Sequence, residues 1–426
     1  MTRRVVITGL GVIAPNGNGV QEFEHSLRKG RSGIRHIPVM EEMGFGCQVA
    51  GVPQGVDELV RAHFDEEEVM VMNLGHSYGS LAALEAWLDA GLVRPEPGDD
   101  EVDWDTGAVL GVGIGGMDTI ASKLIPTVNA KRVRRLGSAC VEQVMASGIS
   151  ARVSGQLALG NMVTTNSSAC STGSEAISMG YERIRRGMAE RMLCGGAEAA
   201  SHYIWAGFDA MRVLCRGFND EPEKASRPLS ASAGGFVPGS GAGVVVLESL
   251  ESAEARGARI QAEVLGTAVN CGGHRTGGSM TAPNPDGVRR CIQLALGDAG
   301  IDASQVDAIN GHLTATGADP REMEAWAAAL DRPPAEIPRV TATKSLVGHA
   351  LGGAGGLEAV ASVLMLREGF LHPCINCEDV HPEIEPFAAS IPHETQEAPD
   401  LRVLVKASFG FGDVNTCLVL GRWDDD

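Results

Sequence analysis

The residues with the clearest capacity for covalent chemistry lie in the segment TNSSACSTGS, residues 165–174. A strand-like run over 162–165 enters a turn of small residues, and helical spacing follows over 174–186. Cys170 falls on the turn, near the positive end of that helix, where the thiolate, the reactive form of cysteine, is favoured. Its small neighbours leave room for a carbonyl and offer backbone N–H groups to an oxyanion. The other nine cysteines lack such a setting and read as buried thiols. A nucleophilic thiol needs partners. His312 follows a strand-like run in NGHLTAT, and His349 closes KSLVGH between a strand and a helix. Taken alone, each histidine is more often structural. Both, however, stand at strand ends, where α/β sites collect, and imidazole polarises carbonyls and moves protons near neutral pH. Lys344 beside them could hold a carboxylate.

Two other spacings suggest chemistry and are set aside. Cys374-Ile-Asn-Cys377, flanked by His372 and His381, has zinc-like spacing, but no second CxxC completes a ligand set. No metal is expected. Gly9, Gly11 and Ala14 match the dinucleotide-binding pattern, but Pro15 and Gly17 stand where that motif starts a helix, so the run reads as a strand entering a tight loop. The GVGIGG run at 111–116 reads as a close backbone approach near a pocket.

These residues need a scaffold of alternating elements. Strand-like runs occur at 4–8, 106–110, 162–165, 192–195, 243–250, 260–268, 306–310, 340–343, 402–407 and 414–420. Helical spacing occurs at 73–91, 141–159, 174–186, 286–299, 323–330 and 357–368. Such alternation predicts an α/β fold with substantial parallel pairing. A seam near 248–257 divides the chain into 1–250, carrying Cys170, and 251–426, carrying both histidines. No literal repeat shows a duplication. A glycine-rich loop is expected at 408–413 and a solvated tail at 423–426.

Composition excludes several classes. The 426 residues are 44% hydrophobic and 21% charged, as in globular chains rather than disordered ones. The 55 glycines are about twice the usual share, which calls for close backbone approach at many points. A net charge of −19 argues against nucleic acid or an anionic membrane as partner. No apolar run approaches the roughly 20 residues of a membrane span. With no signal-like start and ten irregularly spaced cysteines, the expectation is a cytoplasmic protein with reduced thiols.

The elbow cysteine in SSACSTG, a histidine followed by T-x-T, then K-x-x-x-G-H and a closing SFGFG together resemble a β-ketoacyl-acyl carrier protein synthase of the elongating class. The opening RRVVITGLGVIAPNG and the segment ASRPLSASAGGFVPGSGAGVVVLE match in the same order, over nearly the whole chain. The resemblance implies the thiolase fold, two similar halves in five αβαβα layers, and a homodimer, with pairing to a ketosynthase-like chain as the alternative. It implies that Cys170 carries the acyl chain as a thioester and that His312 and His349 face the malonyl thioester. Lys344 and Glu358 correspond to a supporting ion pair. Cys170 and Phe409 are expected to supply the oxyanion-hole amides, with Phe409 also the gate. Thr314 and Thr316 match contacts to the pantetheine arm, and Ile114 a wall of the acyl pocket. No cofactor belongs to the chain itself, because the 4′-phosphopantetheine arm comes with the acyl carrier protein. Arg134 and Arg135 match carrier-docking positions, with Arg216 weaker.

The chain departs from the family pattern in places. Leu313 stands where glycine is usual, which is expected to narrow or reshape the pantetheine tunnel. The following loop is one residue short at Gly317-Ala318-Asp319. The helix beginning Asp65-Glu66-Glu67-Glu68 is acidic where relatives are basic, so docking on an acidic carrier would shift to the Lys131–Arg135 cluster. Two other readings compete. One is a non-catalytic or heterodimeric partner subunit of a specialised polyketide or polyene pathway, which usually lacks the nucleophile. The other is a cysteine hydrolase, which leaves the second histidine unexplained.

Overall fold

The computed structural model describes residues 2–96 and 98–424. Ten strands form its central sheet: β1 (Val5–Ala14), β2 (Thr106–Gly111), β3 (Val163–Thr164), β4 (Arg191–Glu198), β5 (Gly241–Ser249), β6 (Ala262–Cys271), β7 (Ala308–Asn310), β8 (Arg339–Thr341), β9 (Val403–Gly410) and β10 (Val414–Arg422). A two-residue strand, Gly17–Asn18, also pairs with β1. The order across the sheet is β8-β7-β9-β10-β6-β1-β5-β4-β2-β3. Numbered within its own half, each set of five strands runs 3-2-4-5-1. In each half the second strand pairs parallel with the third and fourth, and the other pairings are antiparallel. The halves join through their first strands, where Val5–Ile7 pairs antiparallel with Ala262–Val264. Topology thus shows the duplication that sequence periodicity does not.

The layering follows from which helix faces are apolar. Helix α1 (Leu74–Asp89) packs on β1 and β5, and α2 (Gly148–Leu157) on β2. Helices α3 (Thr172–Arg185) and α6 (Ala354–Glu368) pack on each other, and each touches strands of both halves. Helices α4 (Pro285–Ala299) and α5 (Asp319–Leu330) cover the far side. The result is five layers, αβαβα. Every residue of α6 from Ala354 to Leu366 is buried, as a helix enclosed on all sides requires.

Glycine permits this enclosure. A Cβ on Gly243 would lie 2.2 Å from the carbonyl carbon of Gly356, and one on Gly173 would lie 2.5 Å from the Gly356 nitrogen. The first strand differs from the sequence expectation for the same reason. It does not end in a tight loop at Gly9 but runs through Gly9 and Gly11 to Ala14. A Cβ at either glycine would meet the Ala86 or Ala82 carbonyl oxygen of α1 at 2.0 or 1.9 Å.

Three other boundaries move. The helix expected over 141–159 is two helices, Ala139–Val144 and α2, broken at Met145, which is extended. Gly148 opens α2 because its backbone lies against His76, where a Cβ would be 2.5 Å from Nε2. The loop expected over 408–413 is shorter, because β9 continues to Gly410. Of the expected tail, Trp423 stacks under the Arg4 guanidinium at 5.2 Å, and residues 425–426 lie outside the described residues.

The packing separates two kinds of glycine. Gly297→Ala, on an open face of α4, should stabilise the protein by about 0.5–1 kcal/mol. Gly243→Ala should destabilise it by about 1–3 kcal/mol through overpacking. Denaturant midpoints of the two variants check this; similar shifts would contradict the close approach.

Candidate active site

Cys170 sits in a single helical turn, Ala169–Ser171, that leads into α3. Ala169 has φ 51°, an unusual conformation for a residue with a Cβ, and it makes the elbow that presents the thiol. The end of β9 lies directly against this turn: a Cβ on Gly410 would be 3.0 Å from the Cys170 nitrogen. Ser171 ties the turn to the β9–β10 hairpin, donating to the Val414 carbonyl at 2.8 Å.

His349 arrives from the other half. Its backbone is held between Val237 and Gly239, donating to the Val237 carbonyl at 2.8 Å and accepting from Gly239 N–H at 2.9 Å. Its Nε2 is 3.1 Å from Cys170 Sγ, and its Nδ1 accepts from Leu351 N–H at 3.2 Å. That amide can only donate, so the ring proton sits on Nε2, facing the sulfur. His312 follows β7. The Glu322 carboxylate of α5 accepts both the His312 N–H, at 2.6 Å, and the Leu313 N–H, at 2.8 Å. Asp319 accepts the Thr314 and Ala315 amides in the same way. Burial, with Asp319 adding to it, pushes Glu322 up to about 7. Lys344 Nζ lies 3.3 Å from His312 Nδ1 and donates to the His312 carbonyl at 2.6 Å. A lysine ammonium also only donates, so His312 too carries its proton on Nε2. The two rings meet edge to face, with centroids 5.5 Å apart.

Electrostatics keep both rings uncharged. Burial, followed by the Lys344 charge, holds both histidines well below the ordinary value. The thiol behaves differently from the sequence expectation. Enclosure raises Cys170, while the Phe411 amide and then Lys344 pull the other way, so burial outweighs the short helical turn at its base. Behind the histidines, Lys344 is ion-paired with Glu358, and both are almost fully buried.

A cavity of about 460 Å³ opens from Cys170 past His312, His349, Thr314 and Thr316 to Arg321. The two threonine hydroxyls are 3.0 Å apart on its wall. The structure therefore brings together Cys170, His312, His349, Lys344, Glu358, Thr314 and Thr316. Other expected residues fall elsewhere. Phe409 lines the cavity beside His312, but it is still inside β9, opposite Asn415. The amide that favours the Cys170 thiolate is that of Phe411, beyond the strand end. Ile114 does not line the Cys170 cavity. Glu198 holds the Gly113 and Ile114 amides, and Ile114 borders a separate narrow crevice with His76 and Gln143. Leu313 does not narrow the tunnel, because its side chain is buried in the core with Met323 and Trp326. Its φ of 21° is a conformation that favours glycine. Arg134 and Arg135 are exposed, and the 131–135 cluster has no carboxylate partner among the described residues. Arg216 is instead paired with Asp209 at 3.3 Å.

Comparison with known proteins gives the family. The model of the β-ketoacyl synthase N-terminal domain matches residues 2–253, and that of the C-terminal domain matches 261–378. The chain belongs to the β-ketoacyl synthase family. It is 35% identical to 3-oxoacyl-[acyl-carrier-protein] synthase 1 of Haemophilus influenzae, over 99% of this chain and 100% of that one. Among solved structures it is similar to the ishigamide ketosynthase/chain length factor, with TM-score 0.87 and 33% identity over the full length of both chains. It is also similar to a chain of AntDE:AntF, a type II polyketide acyl-carrier protein in complex with its ketosynthase, with TM-score 0.86 and 28% identity over 99% of this chain and 100% of that one. This synthase is thus an acyltransferase of the condensing type. Sequence reasoning missed Phe411, the Glu322 and Asp319 clamps, Glu198, and a second buried lysine, Lys406.

The placement of Leu313 is testable. Leu313→Ala should cost about 2–5 kcal/mol of unfolding free energy and leave KM for pantetheine thioesters near the parent value. A lower KM with unchanged stability would return the side chain to the tunnel.

Proposed function

We propose that this protein elongates acyl chains by decarboxylative condensation. The observation that carries the proposal is the placement of His312 and His349 beside Cys170, with side-chain donor atoms all within 4.8 Å of one another. In the first half-reaction the Cys170 sulfur attacks the acyl thioester of a carrier protein. The acyl–sulfur bond to the carrier breaks, the new thioester forms on Cys170, and the thiol proton leaves with the carrier's pantetheine sulfur. In this reading the Cys170 and Phe411 amides, both of which favour the thiolate, hold the oxyanion of this step. In the second half-reaction malonyl-carrier protein loses carbon dioxide. Negative charge collects on its thioester oxygen, where neutral imidazole donors on His312 and His349 stabilise it. The carbanion then attacks the Cys170 thioester, and the sulfur leaves. Rings that offer N–H rather than lone pairs suit an oxyanion and not a metal ion, although the three donor atoms of Cys170, His312 and His349 lie within 4.8 Å. The chain needs no cofactor of its own in this reading. Phe411, which packs near Phe208 at 6.0 Å, takes the gating role.

The partner follows from charge and from the exposed rim. The unpaired cluster Lys131, Arg132, Arg134 and Arg135 suits an acidic carrier protein, and Arg216, tied to Asp209, contributes less. Ile125, Val128, Val141 and Met145 are exposed nearby, and β3 ends the sheet with a free edge. We assign this face to a second copy of the chain. We assign its action to the cytoplasm, as the reduced thiols suggest; no helix among the described residues is long and apolar enough to cross a membrane.

Native mass spectrometry after incubation with an acyl-carrier protein should show a dimer of identical chains, each heavier by one acyl group. Cys170→Ala should remove the adduct, and malonyl-carrier protein should discharge it as a β-ketoacyl product. Release as free acid would instead mark a hydrolase. Reversing Arg134 and Arg135 to Glu should weaken carrier binding at least about tenfold at low salt. Unchanged affinity by titration calorimetry would move the docking site.

A further inference from the structure

A second lysine is buried behind the site. Lys406, on β9, has no solvent exposure, and its Nζ lies 2.9 Å from Glu358 Oε2. Lys344 occupies the other oxygen of the same carboxylate. Lys406 also donates to Ser174 Oγ of α3 at 2.6 Å and to Ser408 Oγ. Two of its donors thus go to hydroxyls, and Glu358 Oε2 faces it as the counter-charge, so the ion is held rather than merely enclosed.

The elements packed around this point carry few other charges. Helix α6 contributes Glu358, the turn before His349 contributes Lys344, and α3 contributes Ser174. Strand β10 contributes Cys417, which is in contact with Cys291 of α4. Glu322 of α5 lies farther out and clamps the His312 backbone. Two ammonium groups thus share one carboxylate, directly behind His312 and His349. We propose that Lys406 is a positioning residue of the condensation centre: it takes one oxygen of Glu358, and the surplus positive charge so created keeps both histidines as neutral N–H donors. The proposal rests on the condensation reading for its purpose, but not for its test. In support, burial and then Lys344 lower both histidines and the Lys406 charge adds to them, while burial lowers Lys406 itself and Glu358 opposes that.

The sign is definite. Removing a cation near an imidazole favours its protonated form. In Lys406→Met, Ser174 and Ser408 can still bond each other, as their hydroxyls are 3.0 Å apart. NMR titration of the 13Cε1-labelled histidines should show the His312 and His349 midpoints about one pH unit higher in K406M than in the parent. K406R should restore them. If K406M does not fold, K406Q, which can still bond both serines, carries the same expectation. The acid limb of malonyl-thioester decarboxylation should move to higher pH by the same amount, which a purely structural loss would not produce. Midpoints in K406M or K406Q equal to those of the parent would overturn the proposal. Because the titration needs no turnover, absence of decarboxylation in the parent would count against the condensation reading alone.

Discussion

Everything in this molecule depends on two buried helices meeting at backbone distance. Helices α3 and α6 belong to different halves; glycine at 173 and 355 removes the side chains that would keep them apart, and Gly243 and Gly356 let β5 close on α6. The elbow that carries Cys170 stands at the start of α3, and His349 stands just before α6. Only when these two N-terminal ends are brought together does a thiol from one half find an imidazole from the other at 3.1 Å. The glycine content is therefore a condition of the chemistry as much as of the fold.

The same constraint makes the interior unusually charged. A layer closed on both sides has no water with which to solvate an ion, so Lys344, Glu358 and Lys406 are tolerable only because each satisfies another. Around the site, three further buried carboxylates act on backbone rather than on cations. Glu322 and Asp319 fix the turn after β7, and Glu198 ties the Gly113–Ile114 loop to Gly352. The site is thus rigid through hydrogen bonds to main chain, which do not depend on the substrate being present.

Much of this was legible in the sequence. Cys170, His312 and His349 stand out because each is a reactive side chain at the end of a strand-like run, and the order of elements follows from their periodicity. What the sequence left hidden has identifiable causes. A strand boundary decides whether Phe409 or Phe411 offers a free amide, and boundaries are the weakest part of a periodicity argument. Leu313 looks like a tunnel residue until its positive φ turns the side chain into the core. Ile114 is held through its amide by a carboxylate 84 residues away in the chain. Lys406 had a detectable signal, a charged residue alternating with serine in the apolar run VLVKAS, and buried lysine is rare enough to demand a partner.

The pinned imidazoles have one further consequence, for the direction of synthesis. With each Nδ1 already engaged by a donor, neither ring keeps a lone pair toward the substrate. The centre can then stabilise a carbanion but has no base with which to make one by removing a proton. Nucleophilic carbon must arrive disguised as a carboxylate and be released as gas escapes. Growth of the chain is thereby tied to an irreversible loss of matter, and a lengthened product has no route back through the same pocket.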